Sequence, residues 1–147
     1  MSNLGELKLT RVYKAPRELL FQVMTEPEHL QHFWGPTGVT TPIGNIVVEP
    51  RVGGRFETGM VNDETGDVYP MRAVFVEFDP PNRLAWTEPD VEGGMVTTVT
   101  FTDLGDGTTE TFTHQTNVPE QYLTPEAQAG LQSSFDKCDA YLEKIQA

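Results

Sequence analysis

The sequence predicts an α+β fold in which an antiparallel sheet packs against one long C-terminal helix. Residues 124–147 carry apolar side chains every three or four positions, as in a helix with one buried face. Residues 45–117 contain short strand-like runs separated by turns rich in Gly, Pro, Asn and Asp. Because the strands and the long helix occupy separate parts of the chain, the pattern favours α+β over α/β.

The C-terminal helix has a well-marked start. Thr124 is a good N-cap, and Pro125 suits the first helical position, where its missing N–H is no loss. One apolar stripe is predicted to face the sheet: Ala127, Leu131, Phe135, Cys138, Leu142 and Ile145. Because this stripe must be buried, the gap between helix and sheet is the first place to look for a functional site.

The other elements follow from the same signals. A first strand is predicted over residues 4–13, followed by short helices over 17–24 and 27–32 and a loop over 33–42. Further strands are predicted at 45–49, 55–61, 68–78, 83–88, 95–102 and 108–117. The sheet therefore has about six or seven strands, and residues 1–147 form a single domain, as their number allows.

Composition and charge exclude several classes of function. The formal net charge of −12 disfavours binding to nucleic acid or to an anionic membrane surface. No run approaches the ~18 apolar residues of a membrane span, and no secretory signal is evident, so we expect a cytoplasmic protein. The single cysteine, Cys138, excludes an internal disulfide and is expected to be a small core residue.

Several motifs together resemble the heat-shock-protein-90 ATPase activator homologue family, which belongs to the START-like, or SRPBCC, superfamily. The resemblance spans nearly the whole chain, with motifs in the family's order. They are Ala15-Pro16-Arg17-Glu18-Leu19, Thr25-Glu26-Pro27-Glu28-His29-Leu30, Phe33-Trp34-Gly35-Pro36, Gly53-Gly54-Arg55-Phe56, Pro80-Pro81-Asn82-Arg83-Leu84, Val99-Thr100-Phe101 and Gly130-Leu131. The family commonly has Trp after the glycine of the last helix, so Leu131 would change the shape of the interior.

The resemblance implies a helix-grip fold, with an apolar cavity between a curved sheet and the long helix. It implies a small-molecule binder for a hydrophobic or aromatic ligand, without a cofactor. Two alternatives remain. One is a cavity-based enzyme of the cyclase, dehydratase or hydrolase type acting on an aromatic or polyketide-like compound. The other is a stress-related, co-chaperone-like protein.

The predicted cavity wall consists of residues that alternate on strands or lie on the helix stripe. These are Trp34, Phe56, Met60, Trp86, Phe101, Phe112, His114, Leu131 and Phe135. Ordinary core packing explains the same pattern, because a cavity wall and a core wall look identical in sequence.

The candidates for catalysis are Glu110, His114 and Arg72. Glu110, Phe112 and His114 alternate on the last strand, so an inward Phe112 would bring a carboxylate and an imidazole inside with it. Arg72 would be a natural partner for Glu110 or for a ligand carboxylate. A metal site is not expected, since His29 and His32 lack an obvious third ligand. Both faces of strand 68–78 are apolar, which makes a homodimer plausible.

Overall fold

The computed structural model describes residues 4–91 and 93–147, and it has the predicted α+β architecture. The strands are β1 (Leu4–Tyr13), β2 (Val39–Thr40), β3 (Val47–Val48), β4 (Arg55–Asn62), β5 (Val68–Asp79), β6 (Arg83–Glu88), β7 (Met95–Asp103) and β8 (Thr109–Pro119). The helices are α1 (Arg17–Val23), α2 (Pro27–Leu30) and α3 (Pro125–Ile145), with single 3₁₀ turns at Ile43–Asn45 and Glu120–Tyr122.

All strands belong to one antiparallel sheet in the order β1-β8-β7-β6-β5-β4-β2, and β3 also pairs with β4. The described residues thus form eight strands. The two-residue strand β2 lies in the segment predicted as a loop. The short hairpin connections fix the register of the neighbouring strands, and each register decides which side chains face the helix.

The core lies between the inner face of the sheet and the helices. Its centre is a continuous set of aromatic rings in which Phe21 of α1 packs against Phe78 and Phe101, with ring centroids 5.4 and 5.2 Å away. Phe75 joins this group to Phe56, at centroid distances of 5.2 Å from Phe78 and 5.4 Å from Phe56. The short helix α1 therefore closes one end of the sheet.

Strand β5 shows which of its two apolar faces is buried. Ala73 and Phe75 are buried, whereas Val76 is 48% exposed. A register shift between Phe75 and Glu77 turns Phe78 to the inside as well. The expected homodimer stays a prediction, with Val76 on the outer face that a second subunit would cover.

Candidate functional site

The helix α3 contacts the core to different depths along its length. In its C-terminal half Cys138 and Leu142 are each 1% exposed, and Tyr141 packs against the core from the side. In its N-terminal half Leu131 and Phe135 are only partly buried. Ile145, the predicted end of the apolar stripe, is 38% exposed. The apolar stripe of α3 is therefore packed into the core at its C-terminal, closed end and more loosely covered at its N-terminal, open end. A surface cleft of about 560 Å³ also lies beside the closed end, lined by Val12, Lys14, Asp139, Leu142, Glu143 and Gln146.

A pocket of about 180 Å³ lies at the open end. Its floor is formed by Leu7 of β1, Met95 of β7 and Gln115 of β8. Ala127 and Leu131 of α3, together with Tyr122 of the preceding 3₁₀ turn, form the opposite wall. Four of these six residues are aliphatic, so the lining is mainly apolar, as in small-molecule sites generally.

Polar contacts on both flanks of α3 join the helix to neighbouring parts of the chain. On one flank, Ser134 Oγ donates to the Phe33 carbonyl at 3.0 Å, and Lys137 Nζ donates to the carbonyl of Val39 at 3.2 Å. On the other flank, Arg11 of β1 contacts Asp139 and lies 2.6 Å from Asp136 Oδ1. These contacts join the helix to the segment 33–39 on one side and to β1 on the other.

Arg11 lies on the inner face of β1, two residues before the buried Tyr13. Its guanidinium lies 5.7 Å from the ring centre of Tyr13 and 5.8 Å from that of Phe135. Burial alone would lower the pKa of Arg11, but hydrogen bonds to Asp139 and Asp136 outweigh it and raise the pKa above its usual range. Arg11 therefore stays charged while it bridges sheet and helix.

The floor of the pocket lies at an irregularity in the sheet. The pairing of β1 with β8 shifts register between Gly5 and Leu7, and Asn117 opposite this point has φ +56°. Asn tolerates this left-handed conformation better than most residues. Such bulges bend a strand and re-aim its side chains, and they occur often beside functional sites. Here the shift directs Leu7 and Gln115 into the pocket.

Glu88 is a carboxyl group on the inner face of β6, next to Met95 of the pocket lining but not itself part of that lining. It follows Leu84 and Trp86 in the alternation of that strand and pairs across the ladder with Met95, which lines the pocket. Directly opposite residues share one face of a sheet, with Cβ atoms about 5 Å apart. Burial raises the pKa of Glu88 to about 7, although a hydrogen bond from Trp86 acts in the opposite direction.

Most of the predicted wall residues pack on one another and not around a cavity. Phe56 and Phe101 are each 2% exposed. The rings of Trp34 and Trp86 lie 5.2 and 5.0 Å from that of Phe56, and Trp34 Nε1 donates to Thr58 Oγ1 at 3.2 Å. Met60, on the same face of β4, lies against Gly35. The inward placement of Trp86 is confirmed, and of the predicted wall residues Leu131 alone lines the 180 Å³ pocket.

The prediction that Phe112 and His114 face the interior is wrong. Phe112 is 39% exposed, and His114 contacts Glu6 on the outer face of the sheet. The buried set on β8 consists of threonines, since Thr109 Oγ1 donates to the Ala15 carbonyl at 2.8 Å and Thr111 Oγ1 to that of Arg11 at 3.2 Å. These satisfied hydroxyl groups can be buried at little cost.

The three candidate catalytic residues therefore do not converge inside the molecule. Glu110 lies on the outer face with Phe112 and His114, and Arg72 is exposed on β5, three strands away from β8. Glu110 pairs with Val12 and Thr102, and Arg72 pairs with Glu57. An acid–base mechanism built on these three residues has no basis in this geometry.

Two further groups concern metal binding and thiol chemistry. Within residues 4–91 and 93–147, no group of three or more His, Cys, Asp or Glu side chains is arranged to hold a metal ion. His29 Nδ1 lies 2.6 Å from the Tyr141 hydroxyl, and the His32 ring stacks on Tyr141 at 4.9 Å. Burial raises the pKa of Cys138 to about 12, so the thiol stays protonated and unreactive near neutral pH.

Sequence reasoning missed most of the pocket lining and Glu88. The alternation of Leu84, Trp86 and Glu88 is visible in the sequence and could have placed the carboxyl inside. Met95 likewise precedes Thr97, Val99 and Phe101 in an alternating run. Tyr122 gave no such signal, because its position depends on the 3₁₀ turn before α3.

A curved antiparallel sheet that holds a long C-terminal helix, with short helices closing one end, defines the helix-grip class of START-like proteins. No helix in the described part of the chain is long and apolar enough to cross a bilayer. The chain belongs to the family described as "Activator of Hsp90 ATPase homolog 1-like protein", whose model matches residues 14–143.

Solved structures from several bacteria share the fold. A protein from Chromobacterium violaceum is 23% identical with a TM-score of 0.82, covering 92% of this chain and 96% of its own. The AHSA1 protein from Silicibacter pomeroyi is 20% identical with a TM-score of 0.78, covering 96% and 99%. An AHSA1-like protein from Aeromonas hydrophila is 22% identical with a TM-score of 0.74, covering 95% and 94%. Among curated proteins, none matches this chain.

Proposed function

We propose that this protein binds a small, mainly apolar molecule in the pocket between the sheet and the N-terminal half of α3. The observation that carries the proposal is the pocket itself, bounded by Leu7, Met95 and Leu131 where the helix stands away from the sheet. At the other end of the helix the same apolar stripe is fully buried at Cys138 and Leu142. The open end thus departs from the close packing of an ordinary core.

The size of the pocket limits the ligand. An engineered protein cavity of ~150 Å³ lined by aliphatic and aromatic side chains binds benzene, whereas drug-sized ligands occupy roughly 300–1,000 Å³. At about 180 Å³ the pocket accommodates one six-membered ring with a small substituent. We therefore expect the ligand to be a compact aromatic or aliphatic ring. It could also be a longer molecule whose terminal ring lies in the pocket and whose remainder extends through the open side.

Toluene is a suitable first probe, with ¹H–¹⁵N NMR spectra of the labelled protein as the measurement. Saturable shifts of the backbone amides of Leu7, Met95, Gln115 and Leu131 are expected. Leu131→Trp places a larger side chain in the pocket and should abolish these shifts. Ile145→Trp makes the same kind of change at an exposed position of the same helix and should leave them intact.

Two results would overturn the proposal. One is the absence of saturable shifts in the wild-type protein. The other is equal toluene binding by the wild type and by Leu131→Trp, which would locate the toluene elsewhere.

A further inference from the structure

The carboxyl group of Glu88 lacks a charged partner in the part of the chain that the structure describes. Among residues 4–91 and 93–147, no Lys, Arg or His side chain lies within 4.0 Å of it. Its ladder partner Met95 is uncharged, and the pairing of β6 with β5 ends at the preceding residue, Thr87, which lies opposite Val74. A partly buried carboxylate without a cation is costly, so a ligand that supplies one has a free-energy advantage.

Arg11, a cation between helix and sheet, is already bound to partners on α3. Arg11 is engaged by Asp136 and Asp139 and also donates to Gln132 Oε1 at 3.2 Å. The contacts of Lys137 are likewise with the backbone of the segment 33–39. Arg11 and Lys137 are thus both bound to partners other than Glu88.

The other polar groups at the pocket also favour a hydrogen-bond donor. Gln115 Nε2 donates to Thr97 Oγ1 at 3.2 Å, and its amide oxygen remains an acceptor. Thr97 lies between Trp86 and Gln115 in the ladder, so Glu88, Trp86, Thr97 and Gln115 occupy adjacent positions on one face. Of the residues that the structure describes, none that lines the pocket is basic. The net charge of −12 adds a field that attracts cations and repels anions.

We propose that the pocket selects compact apolar molecules that carry a protonated amine, and that Glu88 binds the ammonium group while the ring lies between Met95 and Leu131. This inference rests on the proposed function, because it assigns chemistry to the same pocket. A carboxylate-bearing ring of equal size is excluded, since two like charges would meet in a partly buried site.

Three probes of nearly equal size separate these interactions: toluene, benzylamine and benzoate. Their dissociation constants are measured by NMR titration at pH 8, where Glu88 is ionised. Benzylamine is expected to bind roughly tenfold more tightly than toluene, as a charge-assisted hydrogen bond provides. Benzoate is expected not to bind. In Glu88→Gln, benzylamine and toluene should bind with about equal dissociation constants.

Glu110→Gln is the matched control. It removes the same charge from the outer face of the sheet, where Glu110 lies beside the exposed Phe112. The preference for benzylamine should be unchanged in this variant. An equal loss of preference in both variants would mean that overall charge, and not Glu88, attracts the amine, and would overturn the inference.

The wild-type protein provides a test that needs no variant. Between pH 8 and pH 5 Glu88 takes up a proton, whereas an alkylammonium group keeps its charge. The preference for benzylamine over toluene should therefore fall about tenfold at pH 5, and a preference independent of pH would overturn the inference. If toluene and benzylamine bind equally at pH 8, the pocket stands as a binding site and the role of Glu88 falls. If neither binds, the proposed function falls with it.

Discussion

The two halves of α3 use one apolar stripe for different purposes. Toward its C-terminus, Cys138 and Leu142 insert into the core and are almost fully buried. Toward its N-terminus, Ala127 and Leu131 lie on the same stripe but form the wall of a pocket. Identical periodicity thus places side chains in the core at one end and in the wall of a small pocket at the other. At the closed end the short helix α2 also packs beside α3, where His29 and His32 contact Tyr141.

The largest expected effect compares the two halves directly. Leu142→Ala should lower the free energy of unfolding by roughly 2–5 kcal/mol, because it leaves a cavity in a packed region. Leu131→Ala should cost about 1 kcal/mol or less, since this side chain is only partly buried beside an existing void. Urea unfolding of both variants measures the two values. Equal losses would show that the two halves of the helix are packed alike.

The second effect tests the carboxyl group at the open end. Folding raises the pKa of Glu88 from 4.5 to about 7, so the folded state binds more protons than the unfolded state between these values. The contribution of Glu88 to stability is therefore fully present below pH 4.5 and falls as the pH rises through 7. With allowance for partial exposure, the loss is on the order of 2 kcal/mol.

Urea unfolding at pH 5 and pH 8 measures this dependence as a difference between wild type and Glu88→Gln. The variant should gain stability relative to the wild type on going to pH 8. Glu110→Gln, which changes a carboxyl on the outer face, should show a nearly constant difference from the wild type. A constant difference for Glu88→Gln as well would mean that its carboxyl group is solvated.

The smallest effect concerns the middle of the helix, where the packed and open halves meet. Arg11→Met keeps an apolar stem but removes the contacts with Asp136 and Asp139, and should destabilise the protein by about 1–2 kcal/mol. Asp139→Asn should cost less than half as much, because Asp136 remains. Thermal unfolding in low and high salt measures both, and the loss for Arg11→Met should shrink in high salt. A loss that does not depend on salt would assign the effect to packing.

The sequence was sufficient to predict nearly all of the architecture. The strands, the short helices and the start of α3 agree with the structure to within about two residues, as is usual for strongly marked elements. The N-cap at Thr124 is confirmed, since its side chain accepts a hydrogen bond from the Ala127 amide at 3.2 Å. These features depend on local signals such as alternation, caps and turn residues.

The site was predicted less well, because it depends on distances that periodicity does not contain. The stripe on α3 shows which face is buried but not how far Leu131 stands from the sheet. Strand β8 has threonines on one face and Phe112 on the other. The aromatic residue suggested that its own face is the buried one, whereas the threonine face is buried. Backbone carbonyls near the paired strand bind the threonine hydroxyls, and this cannot be seen from β8 alone.

Because α3 is packed most tightly near its C-terminus, a small tilt there moves its N-terminus much further. Residues 125–142 span roughly 25 Å at ~1.5 Å per residue, so a tilt of about 5° at Leu142 displaces Pro125 by about 2 Å. That displacement exceeds half the thickness of an aromatic ring, while Cys138 and Leu142 hardly move. Substitutions near Cys138 and Leu142, although remote from the pocket, should therefore change the size of the largest molecule that the pocket can bind.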